Sequence, residues 1–306
     1  MTEIFDIPGY EDFVQIVPIN KGYSTDEKIY IRSFEGLEYL IRISDIKERE
    51  QKEKEFEMMK KAALLGIPMQ EPIAFGICNN KKSVYMKLTW VNGEDANDVL
   101  PKLSNSEALI LGIKSGEIIK KIHSIAAPTS LESWEKRYTR KTDYRIKKYR
   151  MYRNSFPASH NEDSFISYIE QNIAALKDRP QCFLHGDYHS GNMIVREKGG
   201  YSGIDIIDWN RFDFGDPYEE FNRLTFSARV NKYFATGQLY RYFVGEPPIE
   251  FFTLLALYIS SNQLGALAFA YENDKNDIDF TLEQNEVILG WYDNMNTVIP
   301  SWFKKI

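Results

Sequence analysis

Cysteine is nearly absent from this chain of 306 residues. Cys78 and Cys182 are the only two, too few and too far apart for a disulfide framework or a zinc cluster. Positive charge is not in excess either. Against 44 Asp and Glu stand 38 Lys and Arg, a net charge of −6, which argues against general nucleic-acid binding. The first residues lack the basic-then-apolar order of a secretory signal, so the expected location is the cytoplasm. No internal repeat or low-complexity tract is evident. Long uncharged runs are scarce, and the exception is Phe251 to Tyr271. It approaches the length of a membrane span, yet Ser260-Ser261-Asn262-Gln263 sits in its middle. A buried core helix is the expectation. Hydrophobic residues at 43% and aromatics at 14% are ordinary for a globular protein with ample core for one large domain or two moderate ones.

What is present centres on Phe183 to Val195, F-L-H-G-D-Y-H-S-G-N-M-I-V. Apolar residues enter and leave a polar knuckle, the pattern of two buried strands joined by a functional loop. Asp187 precedes Asn192 by five positions. A second apolar strand, Ile204-Asp205-Ile206-Ile207, leads to Asp208-Trp209. Asp187, Asn192 and Asp208 are thus expected at neighbouring strand ends. Phosphoryl transfer needs such a set, because the protein's part is mostly positioning and charge neutralisation. Asp187 would accept or orient the proton of a substrate hydroxyl. Asp208 and the amide oxygen of Asn192 would hold Mg2+, which prefers oxygen ligands.

These residues resemble the H-G-D-x-x-x-x-N loop and the I-D-W/F motif of the aminoglycoside phosphotransferases and their choline-kinase-like relatives. The resemblance implies an α+β, protein-kinase-like fold of two lobes. Residues 1–91 would form a small nucleotide-binding lobe, with an antiparallel sheet and one helix. Residues 92–306 would form a mainly helical catalytic and substrate-binding lobe. It also implies ATP or GTP as donor, Mg2+, and a small-molecule hydroxyl as acceptor. The leading acceptor is an aminoglycoside-like antibiotic, which would make the protein a resistance enzyme. The alternatives are a metabolite such as choline, a sugar or an amino alcohol, or an inactive nucleotide-binding regulator. No nucleic acid or membrane partner is expected, and the chain would act as a monomer or homodimer. Asp213-Phe214-Gly215 spells a second kinase-like motif. It follows no apolar strand, so Asp213 is expected in a loop and Asp208 at the metal.

Along the chain, Val14–Pro18, Lys28–Arg32 and Tyr39–Ile43 read as strands, with period-two alternation clearest at Ile29-Tyr30-Ile31. Between the first two, Gly22, Ser24 and Thr25 would cover the nucleotide phosphates with backbone N–H groups. Arg42 stands on the third strand where the family pattern places lysine. It keeps the charge, but the exchange is not neutral. Asp45–Leu65 reads as a helix. Glu55 is its candidate partner for Arg42, with Glu48, Glu53 and Glu57 as alternatives. Two further strands, Pro72–Ile77 and Ser83–Leu88, lead to a hinge-like stretch where backbone groups of Thr89 and Val91 would meet the adenine edge.

Helices are expected at 106–124, 131–153, 165–175, 221–235, 248–271 and 279–298. His123 reads as packing at a helix end. The 131–153 segment carries nine Lys/Arg and three acids with tyrosines interleaved, and reads as a solvated helix covering the lobe. Gly215-Asp216-Pro217 with Glu220 resembles the family's G-D-P-x-x-D segment. Residues 216–306 hold twelve acids and seven Lys/Arg. Glu220, Glu272 and Asp274 are candidate contacts for an amine-bearing acceptor, together with Asp277 and Asp279.

Overall fold

The computed structural model describes residues 4–20, 25–156, 162–198, 201–273 and 277–306. Gly22, Ser24 and Asp274 lie outside them. The order opens with β1 (Phe13–Ile19), β2 (Glu27–Ser33), β3 (Glu38–Asp45), α1 (Arg49–Leu64), β4 (Pro72–Cys78), β5 (Ser83–Thr89) and β6 (Glu94–Asp95). Next come α2 (Ala96–Val99), α3 (Asn105–Ile122), α4 (Trp134–Tyr152), α5 (Asp163–Asn172), β7 (Cys182–Leu184), β8 (Met193–Lys198) and β9 (Tyr201–Ile206). The chain closes with β10 (Asp213–Gly215), α6 (Leu224–Val230), α7 (Lys232–Phe243), α8 (Ile249–Asn273) and α9 (Asp277–Trp291). It divides into two compact units: Met1–Ala96 with Asn192–Phe212, and Asn97–Gly191 with Asp213–Ile306.

The first unit is built on a five-stranded antiparallel sheet, ordered β1-β2-β3-β5-β4. Alternation decides its faces. Ile29, Ile31, Ile41 and Ile43 share one core cluster with Ile4, Ile7, Cys78 and Tyr85. β3 is interior to the sheet and buried from Leu40 through Ser44. α1 lays Lys52, Glu55, Phe56, Met59 and Ala62 inward at helical spacing, and its Phe56 ring lies 5.8 Å from Phe75 of β4. The β8–β9 hairpin, with β6 on its edge, adds a three-stranded sheet to this unit.

The second unit is mainly helical. α8 is its centre, and helices α4, α5 and α9 pack on it. Its length and apolarity would suffice to cross a membrane, yet most of it is buried inside the protein. The polar block in its middle has protein partners: Ser261 Oγ lies 3.0 Å from Thr142 Oγ1 and accepts from Arg145 at 3.1 Å, while Ser260 Oγ donates to Ala256 O. α4 buries one stripe, Trp134, Tyr138, Thr142, Ile146 and Tyr149, and keeps its many cations on the rest of its circumference.

The expected helix at 221–235 is two helices, because Asn231 leaves helical conformation and caps α7 through its side chain. The expected helix at 279–298 stops at Trp291, where Asp293, Asn294 and Met295 take positive φ. Asp213 is not in a loop: it opens β10, which pairs antiparallel with β7, Asp213 opposite Leu184.

Candidate active site

In the second unit, β7 delivers the chain into His185-Gly186-Asp187, where Gly186 takes φ +83°, a conformation that suits glycine. Glu220 fixes this turn. Its Oε2 accepts from His185 N at 2.6 Å and its Oε1 from Gly186 N at 2.9 Å. Tyr188, fully buried, donates its hydroxyl to Ser115 O at 2.8 Å. The Ser190 hydroxyl donates to Asn97 Oδ1, and the Ser190 N–H donates to the Ser227 hydroxyl. The loop is thereby held at both ends.

The Asp187 carboxylate sits between a guanidinium and an imidazole. Its Oδ1 is 3.1 Å from Arg223 Nε and 3.6 Å from His189 Nε2. His189 Nδ1 accepts from Gly191 N, which puts the proton of a neutral ring on Nε2, the atom nearest Asp187. The turn Glu219–Arg223 thus does two jobs three residues apart: Glu220 holds the loop backbone and Arg223 meets the carboxylate. Sequence reading missed Arg223 and His189. The three-residue spacing from Glu220 was the available signal for Arg223.

The expected substrate role of Glu220 is corrected by this geometry. Its side chain is buried and both oxygens are occupied by backbone donors. Glu272 is likewise engaged: Lys148 Nζ at 2.5 Å and Tyr152 Oη at 2.6 Å donate to its Oε1, and these bonds hold its carboxyl below the usual range. Asp277 is half-buried and Asp279 exposed at the start of α9. Asp216 of the Gly-Asp-Pro segment is structural, accepting from Arg179 at 2.7 and 3.0 Å and from the Tyr258 hydroxyl at 2.5 Å. His123 caps α3 and bonds the Tyr242 hydroxyl.

In the first unit, the β8–β9 hairpin brings the two metal candidates to one end. Met193 pairs with Ile206, and the next N–H, of Ile207, donates to Asn192 O at 3.0 Å. Asp208 does not end the strand as expected. β9 stops at Ile206, and Asp208 sits in a turn with φ 64° and ψ 68°. That left-handed conformation is uncommon for a residue with a side chain and clusters at functional positions. Asp208 Oδ1 lies 3.9 Å from Arg42 Nη1. The donor set fits a hard divalent cation: one carboxylate and one amide, all oxygen, with room in the coordination shell for phosphates and water.

Arg42 is interior, not at a sheet edge, and only 4% exposed. Its Nη1 meets Glu55 Oε1 at 2.8 Å, so Glu55 is the buried partner among the four candidates. Its other edge meets Asp26 Oδ2, at 2.9 Å from Nε and 2.5 Å from Nη2. Asp26 also receives Lys52 Nζ at 2.8 Å on each oxygen and the Ser44 hydroxyl at 2.8 Å. Neither Asp26 nor Lys52 was a sequence candidate. Thr25 is exposed just before β2. Of the backbone groups expected at the adenine edge, the Thr89 N–H donates to Glu71 O at 2.9 Å. Val91 is half-buried beyond Trp90, whose N–H donates to Glu38 O.

The phosphotransferase enzyme family (APH) matches residues 15–252 by its family model. No curated protein matches the sequence. Among solved structures, the chain is similar to the GDP complex of wild-type aminoglycoside 2′-phosphotransferase-IIIa. The identity is 12% and the TM-score 0.66, over 94% of this chain and 95% of the other. It is similar to the streptomycin–ATP–APH(2″)-IIa ternary complex at 18% identity and TM-score 0.61, over 94% and 97%. A choline/ethanolamine kinase family protein from Mesorhizobium loti is similar at 16% identity and TM-score 0.64, over 93% and 91%. At these identities the likeness establishes the kinase-like α+β fold.

Proposed function

The chain belongs to the phosphotransferase enzyme family, and we propose that it moves the γ-phosphate of ATP, or of GTP, to a hydroxyl of an aminoglycoside-like antibiotic in the cytoplasm, with Mg2+ as the divalent ion. The observation that carries the reading is Asp187. Its loop is clamped at two backbone N–H groups by Glu220 and its carboxylate is oriented by Arg223 at 3.1 Å. A carboxylate so held is suited to orient an acceptor hydroxyl and take its proton, as phosphoryl transfer requires. Asn192 and Asp208 would hold the divalent ion, which when bound would supply charge neutralisation at the nucleotide phosphates. Arg42 Nη1, facing Glu55 and Asp208, would meet a nucleotide phosphate.

A second acceptor class, an amino alcohol of the choline kind, is favoured by one observation. Glu272, expected to hold a ligand amine, is engaged by Lys148 and Tyr152, which suits an acceptor with fewer amines. The test is purified protein with MgATP or MgGTP and a panel of aminoglycosides, choline, ethanolamine and sugars. Nucleoside diphosphate release is followed and the product identified by phosphorus NMR. Acceptor-dependent release with an aminoglycoside, lost in Asp187→Asn, is expected. Turnover confined to choline or ethanolamine would shift the acceptor to the second class, and no acceptor-dependent release from any alcohol would sink the proposal.

A further inference from the structure

Buried in the first unit is a group of four charges, of which sequence reading anticipated Arg42 and Glu55 but not Asp26 and Lys52. A lysine at position 42 would present a single ammonium to Glu55. A guanidinium is wider, with a second edge carrying Nε and Nη2. Arg42 is 4% exposed, and a buried donor edge without an acceptor is costly. Asp26 fills that edge with one oxygen, accepting from both Nε and Nη2. A bare second carboxylate beside Glu55 would in turn leave excess negative charge in the interior. Lys52 of α1 answers it, its Nζ 2.8 Å from both Asp26 oxygens and 3.9 Å from Glu55 and Glu48. Ser44, on the next inward position of β3, donates to the remaining Asp26 oxygen. Arg42 and Lys52 thus pair with Asp26 and Glu55 between β3 and α1. One guanidinium nitrogen, Nη1, is left turned to Glu55 and, at 3.9 Å, to Asp208.

We propose that Asp26 is a positioning residue for phosphoryl transfer: it clamps the far edge of Arg42 so that only Nη1 faces Asp208 and the nucleotide phosphates, which makes arginine workable where the family pattern has lysine. The proposal rests on the phosphotransferase reading. Asp26 would act on the nucleotide through Arg42, while Lys52 and Ser44 hold the Asp26 carboxylate itself. Its importance must then depend on which residue stands at position 42. With lysine there, Asp26 has no guanidinium edge to hold, and its charge competes with Glu55 for the single ammonium.

The test is a four-protein cycle: wild type, Asp26→Asn, Arg42→Lys, and both together. Calorimetry with AMP-PNP and Mg2+ reads phosphate recognition, and adenosine alone reads the rest of the nucleotide site. Thermal unfolding checks that each variant is folded. Asp26→Asn in the wild-type background is expected to weaken AMP-PNP by about tenfold, with adenosine unchanged. In the Arg42→Lys background the same change is expected to leave AMP-PNP binding within about twofold, or to improve it. Equal losses in both backgrounds, or an equal loss for adenosine, would overturn the proposal, since a purely structural aspartate behaves that way. Failure of the phosphotransferase reading looks different: wild type would bind AMP-PNP yet phosphorylate no acceptor.

Discussion

Glu220 is 1% exposed, and both of its oxygens are taken by main-chain donors of His185 and Gly186. Replacing it with alanine leaves the buried His185 N–H without an acceptor, costing roughly 1–3 kcal/mol, and the half-buried Gly186 N–H, costing about 1 kcal/mol more. Glu220→Ala should therefore lose about 2–4 kcal/mol in urea unfolding, and its kcat should fall more than its nucleotide KM changes, because the loop carrying Asp187 loses its anchor. Glu220→Gln keeps one acceptor oxygen and should fall between; wild-type kcat in the alanine variant would show that the clamp is dispensable. Asp26 offers a pH-dependent test. Burial pushes its carboxyl up, but the Arg42 guanidinium and the Lys52 ammonium outweigh burial and hold it at about 2, against an ordinary 3.8. A carboxyl lowered in the folded state stabilises above its unfolded value, and that stability is lost as pH falls through the folded one. The gap is about 2 kcal/mol at neutral pH. Glu55, raised by burial against the pull of Arg42 and Lys52, works in the opposite direction and trims the total. Asp26→Asn should thus be about 2 kcal/mol less stable than wild type at pH 7. In urea unfolding the difference should shrink as pH drops from 4 toward 2, and a pH-independent difference would show that the charge does not matter.

α3 and α7 approach through small residues. A Cβ on Gly112 would meet Phe234 O at 2.1 Å, one on Gly116 would meet Gln238 O at 2.3 Å, and one on Gly237 would meet Leu109 O at 2.4 Å. Backbone cannot yield as a flexible side chain can, so the helices must separate to admit a methyl group. Gly112→Ala should cost about 1–3 kcal/mol despite the better helix propensity of alanine, read as a lower urea midpoint with unchanged slope. The same helix carries Ser115, which binds the Tyr188 hydroxyl, so the variant should also lose kcat; unaltered stability would mean the contact relaxes freely. Such a contact was illegible in the sequence. The apolar stripe of α3 announces a helix, while its partner lies more than a hundred residues on and is selected by glycine spacing rather than hydrophobicity. The helix break at Asn231 was hidden for a related reason: an asparagine inside a helical pattern becomes a cap only once the chain has turned. By contrast, Ser260 to Gln263 marked α8 as a core helix, because a polar block of that kind needs protein partners.

At the scale of the whole molecule, the strands of the antiparallel sheet were readable to within a residue or two, since alternation such as that in Ile29-Tyr30-Ile31 is a local signal. The charged set around Arg42 was not, because Asp26 and Lys52 lie 16 and 10 positions away and became partners only through strand register and helix packing. The spelling of the two Asp motifs misled in a different way. Asp208 lies past its strand in a left-handed turn, while Asp213 lies in a strand. Strand-end rigidity therefore no longer separates them. Their partners do. Asp213 pairs with Arg137 at 3.1 Å with its side chain half in solvent, an exposed ion pair worth about 0–1 kcal/mol. Asp208 faces buried Arg42 at 3.9 Å and keeps its turn next to the residue bonded to Asn192. Asp208→Ala should lose phosphoryl transfer by roughly a thousandfold or more, and Asp213→Ala should keep most of it. A nucleotide with its metal stabilises the fold by about 2.7 kcal/mol at a hundred times its Kd. Thermal unfolding with ADP across a Mg2+ titration should show that rise for wild type and Asp213→Ala, and little metal dependence for Asp208→Ala. The reverse pattern, with Asp213→Ala blind to Mg2+ and Asp208→Ala responsive, would hand the metal to Asp213.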